Sequence, residues 1–206
     1  MEQFDNIDDY IADLKKKKEA SPTCSNTRYN LGVAHLSKRE FMEAEREFLT
    51  AIEESPKMAE AYVQLGGIAM QRGDLDGCLR YNITATKQRP FFAVPWGNIG
   101  FVYMQQGDVD KAIGALKRAI KYDPNFVQAL ATLGSAYFNE GEIDDCIEVC
   151  EKAVKLAENF GPAWNNLALC YAEKEDFTKA IECIDKAIET GFEASPDFLK
   201  ELEAHR

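Results

Sequence analysis

No stretch of the 206-residue chain approaches the ~20 consecutive apolar residues that a membrane-spanning helix needs. Histidine is scarce, with only His35 and His205 present, and neither belongs to an HExxH motif. The six cysteines, Cys24, Cys78, Cys146, Cys150, Cys170 and Cys183, contain no CxxC pair and no CxxCH haem-attachment motif. Cys146 and Cys150 stand four residues apart, on one face of a helix, but no histidine is near them in sequence. They read as small buried apolar side chains of a reducing compartment. Basic residues are outnumbered, 24 against 35 acidic ones, for a net charge of −11. Such a chain is repelled by nucleic-acid phosphates and anionic headgroups, and the lysine run at 15–18 is too short to reverse this.

Other absences bear on chemistry. There is no P-loop, no GxGxxG after a strand, no Ser/His/Asp set and no EF-hand loop. Acidic pairs such as Asp144-Asp145 and Glu175-Asp176 fall at helix starts and turns, where a solvated face is the default. The expectation is a protein that is not an enzyme and has no cofactor, metal, nucleic-acid partner or membrane insertion. The opening residues "MEQFDNIDDY" lack a basic region followed by an apolar one, so a cytoplasmic location is expected.

What the chain does have is a period. Pro56, Pro90 and Pro124 recur every 34 residues. Leu31-Gly32, Leu65-Gly66, Ile99-Gly100, Leu133-Gly134 and Leu167-Ala168 keep the same spacing. Tyr103, Tyr137 and Tyr171 follow three residues after the small one. Small residues return at Ala44, Cys78, Ala112, Cys146 and Ala180, and again at Ala51, Ala85, Ala119, Ala153 and Ala187.

This pattern resembles the tetratricopeptide repeat family, whose signature is W-x₂-L-G-x₂-Y, then A-x₃-F, then P. The third unit shows it nearly whole in Trp96, Ile99, Gly100, Tyr103, Ala112, Leu116, Ala119 and Pro124. The resemblance covers five units in one phase: 25–58, 59–92, 93–126, 127–160 and 161–194. Some residues depart from it. His35 and Ala69 replace the aromatic, Asn82 replaces a large apolar residue, and Glu158 and Phe192 stand where proline would. His35, in a packing position, is read as a core or groove residue. The fold implied is all-α, a right-handed α-solenoid of about five helical hairpins, with an N-terminal helix and a C-terminal capping helix.

The residues also support hairpins on physical grounds. Gly73-Asp74, Gly107-Asp108 and Gly141-Glu142 split three units in two: glycine ends one helix at positive φ, and the acidic residue favours the positive start of the next. Segment 3–19 places Phe4, Ile7, Ile11 and Leu14 at helical spacing. It reads as an N-terminal cap within 1–24, with docking of a partner or folding back over the groove as its alternative. Within 195–206, Ser195 and Pro196 begin a capping helix that carries Phe198, Leu199 and Leu202 on one face.

The resemblance implies that the first helix of each unit lines a concave surface. Helical periodicity then directs positions 2, 5, 6, 9, 12 and 13 inward. Position 6 holds Asn30, Gln64, Asn98, Thr132 and Asn166. Polar Gln71, Gln105 and Asn139 sit at position 13, and apolar Tyr29, Met70, Phe101, Met104 and Phe138 stand nearby. Charge is sparse on this face, Glu60 and Glu173 being the exceptions. An amide both donates and accepts, so such a row can pair with the backbone of an extended peptide of any sequence. With helices ~10 Å apart and ~3.3 Å per extended residue, one rung meets about every third ligand residue. The arrangement is similar to the asparagine ladder of O-linked N-acetylglucosamine transferases, without their transferase domain. The competing reading is a solvated face tolerant of asparagine. The apolar neighbours favour binding.

A dicarboxylate clamp of the co-chaperone kind is disfavoured. Its cationic positions are held here by Tyr29, Val94 and Asn98, or one unit later by Val63, Gln128 and Thr132. The expected function is therefore a protein-protein interaction module, an adaptor or assembly chaperone that grips a partly apolar peptide segment of a client. The alternatives are a self-assembling scaffold and a permanent accessory subunit. Oligomeric state and client are left open.

Overall fold

A computed structural model describes residues 6–206. Phe4 of the expected N-terminal stripe lies outside the described residues. Twelve α-helices account for the regular structure among the described residues, and the chain divides into two compact units, one ending at Pro95 and the other beginning at Trp96. Each unit is described by itself.

The first unit contains α1 (Ile7–Ala20), α2 (Ser25–Ser37), α3 (Phe41–Glu54), α4 (Ala59–Gln71) and α5 (Leu75–Gln88). Helices α2 and α3 pack as one hairpin and α4 and α5 as the next, with α3 also against α4 and α1 against α2. Asn6 caps α1 by accepting the Asp9 N–H at 2.9 Å. Ile11 and Leu14 are buried with Leu31 and Ala34, so the apolar stripe of α1 covers the first hairpin. Ion pairs hold both ends of α1: Lys38 meets Asp8 at 2.7 Å, and Lys18 meets Glu47 at 2.7 Å. Glu47 is only 2% exposed and also accepts from Arg28 at 3.0 Å. Burial pushes the Glu47 carboxyl upward, but its hydrogen bonds to Lys18 and Arg28 outweigh that and hold it below the usual carboxylate range.

The second unit takes in α6 (Ala93–Gln106) from Trp96 onward. It continues with α7 (Val109–Tyr122), α8 (Val127–Asn139), α9 (Ile143–Leu156), α10 (Gly161–Glu173), α11 (Phe177–Glu189) and α12 (Pro196–Glu203). Helices α8 with α9 and α10 with α11 form hairpins, while α9 and α8 also pack on α10. The core joins Leu116, Leu130, Leu133, Leu167 and Ile184 to small residues from every helix between α7 and α11. Phe198 and Leu199 pack against this core, and Leu202 is buried in it. Ser195 stands at the N-cap of α12 as expected but makes no side-chain capping bond.

The periodic small residues are where the helices meet. Ala44, Cys78, Ala112, Cys146 and Ala180 are all fully buried, as are Ala51, Ala85, Ala119, Ala153 and Ala187. Side chains this short let backbones approach at the close end of the usual 8–10 Å interhelical range. The turn inside each hairpin uses a left-handed residue, Gly73, Gly107 and Gly141 at φ near 77° and, at the equivalent places, Arg39 and Glu175 at φ 58° and 59°. Asp74, Asp108 and Asp176 then cap α5, α7 and α11 through their carboxylates, whereas the longer Glu40 and Glu142 make no such bond.

Candidate functional site

In the first unit, Asn30 and Gln71 are exposed, while Gln64 and Met70 are half-buried. Tyr29 turns toward the helix packing, its ring 5.6 Å from that of Phe48. Glu60 is neutralised by Arg89 at 2.6 Å. His35 is 6% exposed and its Nδ1 lies 2.6 Å from Glu40 Oε2, so it fills the aromatic position as a packed polar residue.

In the second unit, five of the expected residues converge. Phe101, Met104 and Gln105 of α6, Thr132 of α8 and Asn166 of α10 line one cleft of about 360 Å³. Phe101 is exposed. Met104 is half-buried against the core. Sequence reasoning did not single out the other lining residues, Gln128, Ala131, Ser135, Phe160 and Pro162. All but Phe160 sit at positions 2, 5 and 9 of their units, so the inward register alone would have found them. Asn98 and Phe138 are half-buried and Asn139 is exposed, and these three lie outside the cleft lining.

The cleft has no charged side chain, although the chain carries −11 overall. Its polar groups are amides and hydroxyls, which recognise backbone or neutral groups. Two of them are already engaged. Thr132 Oγ1 donates to the Gln128 carbonyl at 2.8 Å, within its own helix. Asn166, 7% exposed, donates through Nδ2 to the Ala131 carbonyl at 2.9 Å and to Ser135 Oγ at 3.0 Å. Asn166 thus ties α10 to α8 while showing one edge to the cleft, whereas Thr132, at the same position of the preceding unit, bonds within its own helix.

The cysteines are placed for packing. Cys78, Cys146, Cys150, Cys170 and Cys183 are buried. Burial pushes the Cys78 and Cys183 thiols up to about 11. Contact with Cys150 raises Cys146, and contact with Cys146 raises Cys170. Thiols so disfavoured as thiolates are poor nucleophiles and poor metal ligands at neutral pH. Cys24, half-buried before α2, is shifted the other way by the Thr27 hydroxyl and amide. No group of three or more His, Cys, Asp or Glu among the described residues is arranged to hold a metal ion. Nor is any helix among them long and apolar enough to cross a membrane.

Comparison with known proteins agrees with the helix pattern. Family models described as tetratricopeptide repeat match residues 29–77, 127–160 and 161–190, and one described as TPR repeat matches 100–141. No curated protein sequence matches the chain. Among solved structures, that of MamA is 25% identical over 78% of this chain and 94% of its own, with a TM-score of 0.67. That of YrrB, described as a TPR protein with an unusual peptide-binding site, is 22% identical over 93% and 97%, with a TM-score of 0.71. Yeast Tom70 is 18% identical over 98% of this chain and 44% of its own, with a TM-score of 0.69. With five hairpins starting at Ser25, Ala59, Ala93, Val127 and Gly161, and family models matching in all five of these units, the chain belongs to the tetratricopeptide repeat family and is a protein-protein interaction module.

Proposed function

We propose that this module is an adaptor or assembly chaperone that holds an extended, partly apolar segment of a client protein, without turnover. The observation that carries the reading is the uncharged cleft of the second unit, with Phe101 exposed beside Met104, Gln105 and Gln128. Water is a poor partner for such a surface. An apolar side chain that covers Phe101 and Met104 contributes about 1.5–3 kcal/mol when fully buried. Each backbone hydrogen bond to a glutamine amide adds about 0.5–1.5 kcal/mol. The exposed Asn30 and Gln71 offer similar amides on the first unit. YrrB, similar in fold, is described as having a peptide-binding site, which adds support for a peptide ligand.

The test is a selection of displayed dodecapeptides on the full chain, followed by affinity measurement on Phe101→Lys and Gln105→Ala/Gln128→Ala variants. The expected peptides carry apolar anchors and bind the Phe101→Lys protein at least tenfold more weakly. Selected peptides that bind the wild type and Phe101→Lys equally well would sink the reading.

The rival, a scaffold that assembles with itself, has its support in Met42 and Leu49. These are 74% and 37% exposed and lie seven residues apart on α3. Sedimentation over a concentration range separates the two, since a strict monomer removes the scaffold.

A further inference from the structure

A second cavity, of about 880 Å³, lies in the second unit between α9 and α11. It shares no residue with the peptide cleft. Helix α10 supplies its apolar lining through Trp164, Leu167 and Tyr171, and Trp164 is held in place by donating from Nε1 to the Glu158 carbonyl at 2.8 Å. Three lysines reach the cavity, and each has an acidic partner: Lys155 with Glu151 at 3.8 Å, Lys179 with Asp176 at 3.0 Å, and Lys186 with Glu189 at 2.9 Å. The carboxylates of Glu158 and Glu182, also in the lining, take part in no hydrogen bond or ion pair among the described residues. Glu158 nevertheless lies near enough to Lys186, whose pKa its partner Glu189 raises, to add slightly to that rise by charge.

The repeat itself shows what fits such a site. In the third hairpin the Arg118 guanidinium lies 4.6 Å from the centre of the Trp96 ring. Two repeats further along, Trp164 takes the place of Trp96 and Lys186 the place of Arg118. Lys186 turns to Glu189 instead, and no cation covers the Trp164 ring among the described residues. The neighbouring charges change as well. One repeat earlier, Lys117, Pro124 and Lys155 occupy the places that Glu151, Glu158 and Glu189 take here. Lys117 lies over the Tyr137 ring at 5.4 Å, whereas Glu151 accepts from the Tyr171 hydroxyl at 3.3 Å. Lys179 still lies over the Tyr171 ring at 5.0 Å, so the acidic groups join the paired lysines around the uncovered Trp164 indole.

We propose that the cavity between α9 and α11 is a second recognition site, which takes an arginine side chain of a partner protein. The guanidinium stacks on Trp164, as Arg118 does on Trp96, and the Glu158 and Glu182 carboxylates neutralise it. A planar cation suits the indole face better than an ammonium does. The chain's overall negative charge favours approach of a basic segment.

The test uses the full chain labelled with ¹⁵N and the probe peptide acetyl-Ala-Arg-Ala-amide, with lysine and citrulline analogues. A saturable shift of the Trp164 indole N–H is expected, with the Trp96 indole unmoved. The lysine and citrulline peptides should bind at least fivefold more weakly. Glu158→Gln/Glu182→Gln, which alters only exposed groups, should lower affinity for the arginine peptide at least fivefold at unchanged melting temperature. Phe101→Lys should leave it unaffected, which keeps this site's test separate from that of the peptide cleft. An unmoved Trp164 resonance, equal binding of either analogue, or wild-type affinity in the double variant would overturn the proposal.

Discussion

Asn166 Nδ2 and the Ala131 carbonyl oxygen lie 2.9 Å apart and join α10 to α8. The bond is buried, so the amide acts as a strut between neighbouring hairpins before it acts on any ligand. Asn166→Ala is expected to lower stability by about 1–3 kcal/mol, since it leaves partners without a donor. Asn166→Asp should cost more, because it aims an oxygen at a carbonyl. Thermal unfolding of the two variants checks the order. Unchanged melting in both would show that the strut contributes nothing.

Two glycines on first helices should respond to alanine in opposite directions. A Cβ on Gly134 would run into Cys150 Sγ, whereas one on Gly67 meets nothing within 4 Å. Gly134→Ala forces a packed core apart and should cost about 1–3 kcal/mol. Gly67→Ala removes backbone freedom from a helix interior and should add about 0.5–1 kcal/mol. Chemical denaturation midpoints measure both.

The Glu47 cluster gives the first unit a pH dependence. Because the folded carboxyl lies below its ordinary range, its contribution is fully present above the unfolded pKa of about 4.3. It is lost as pH falls through the folded value. Melting temperature should therefore drop in that acid window, and Glu47→Gln should flatten the drop while lowering stability near neutrality. A variant whose acid profile matches the wild type would exclude Glu47 as the source.

Much of this was legible because the period constrains small residues that have one role each. Ala112 and Cys146 are interchangeable in the sequence pattern and equally buried in the fold. The glycine-acid turns could be read for the same reason, since a residue at positive φ followed by a helix cap leaves few choices. The candidate site was harder. Thr132 and Asn166 share one position in the repeat, yet Asn166 bonds Ser135 on the neighbouring hairpin. For Thr132 the residue at Ser135's place, one repeat earlier, is Phe101. Phe101 offers no hydrogen bond, and Thr132 turns back on its own helix. Pairing of this kind depends on what the adjacent helix presents, which periodicity within one repeat does not encode. The cavity beside Trp164 was hidden for a similar reason. It arises from charges on two second helices that come together only when the hairpins stack.

Arg39 and Glu175 complete the series of hairpin turns in the left-handed conformation that Gly73, Gly107 and Gly141 adopt freely. A side chain there costs roughly 1–2 kcal/mol, a load the three intervening turns do not bear. The α2–α3 and α10–α11 hairpins are thus under tension at their bends. Amide hydrogen exchange is therefore expected to be faster at these two bends than at the three between them.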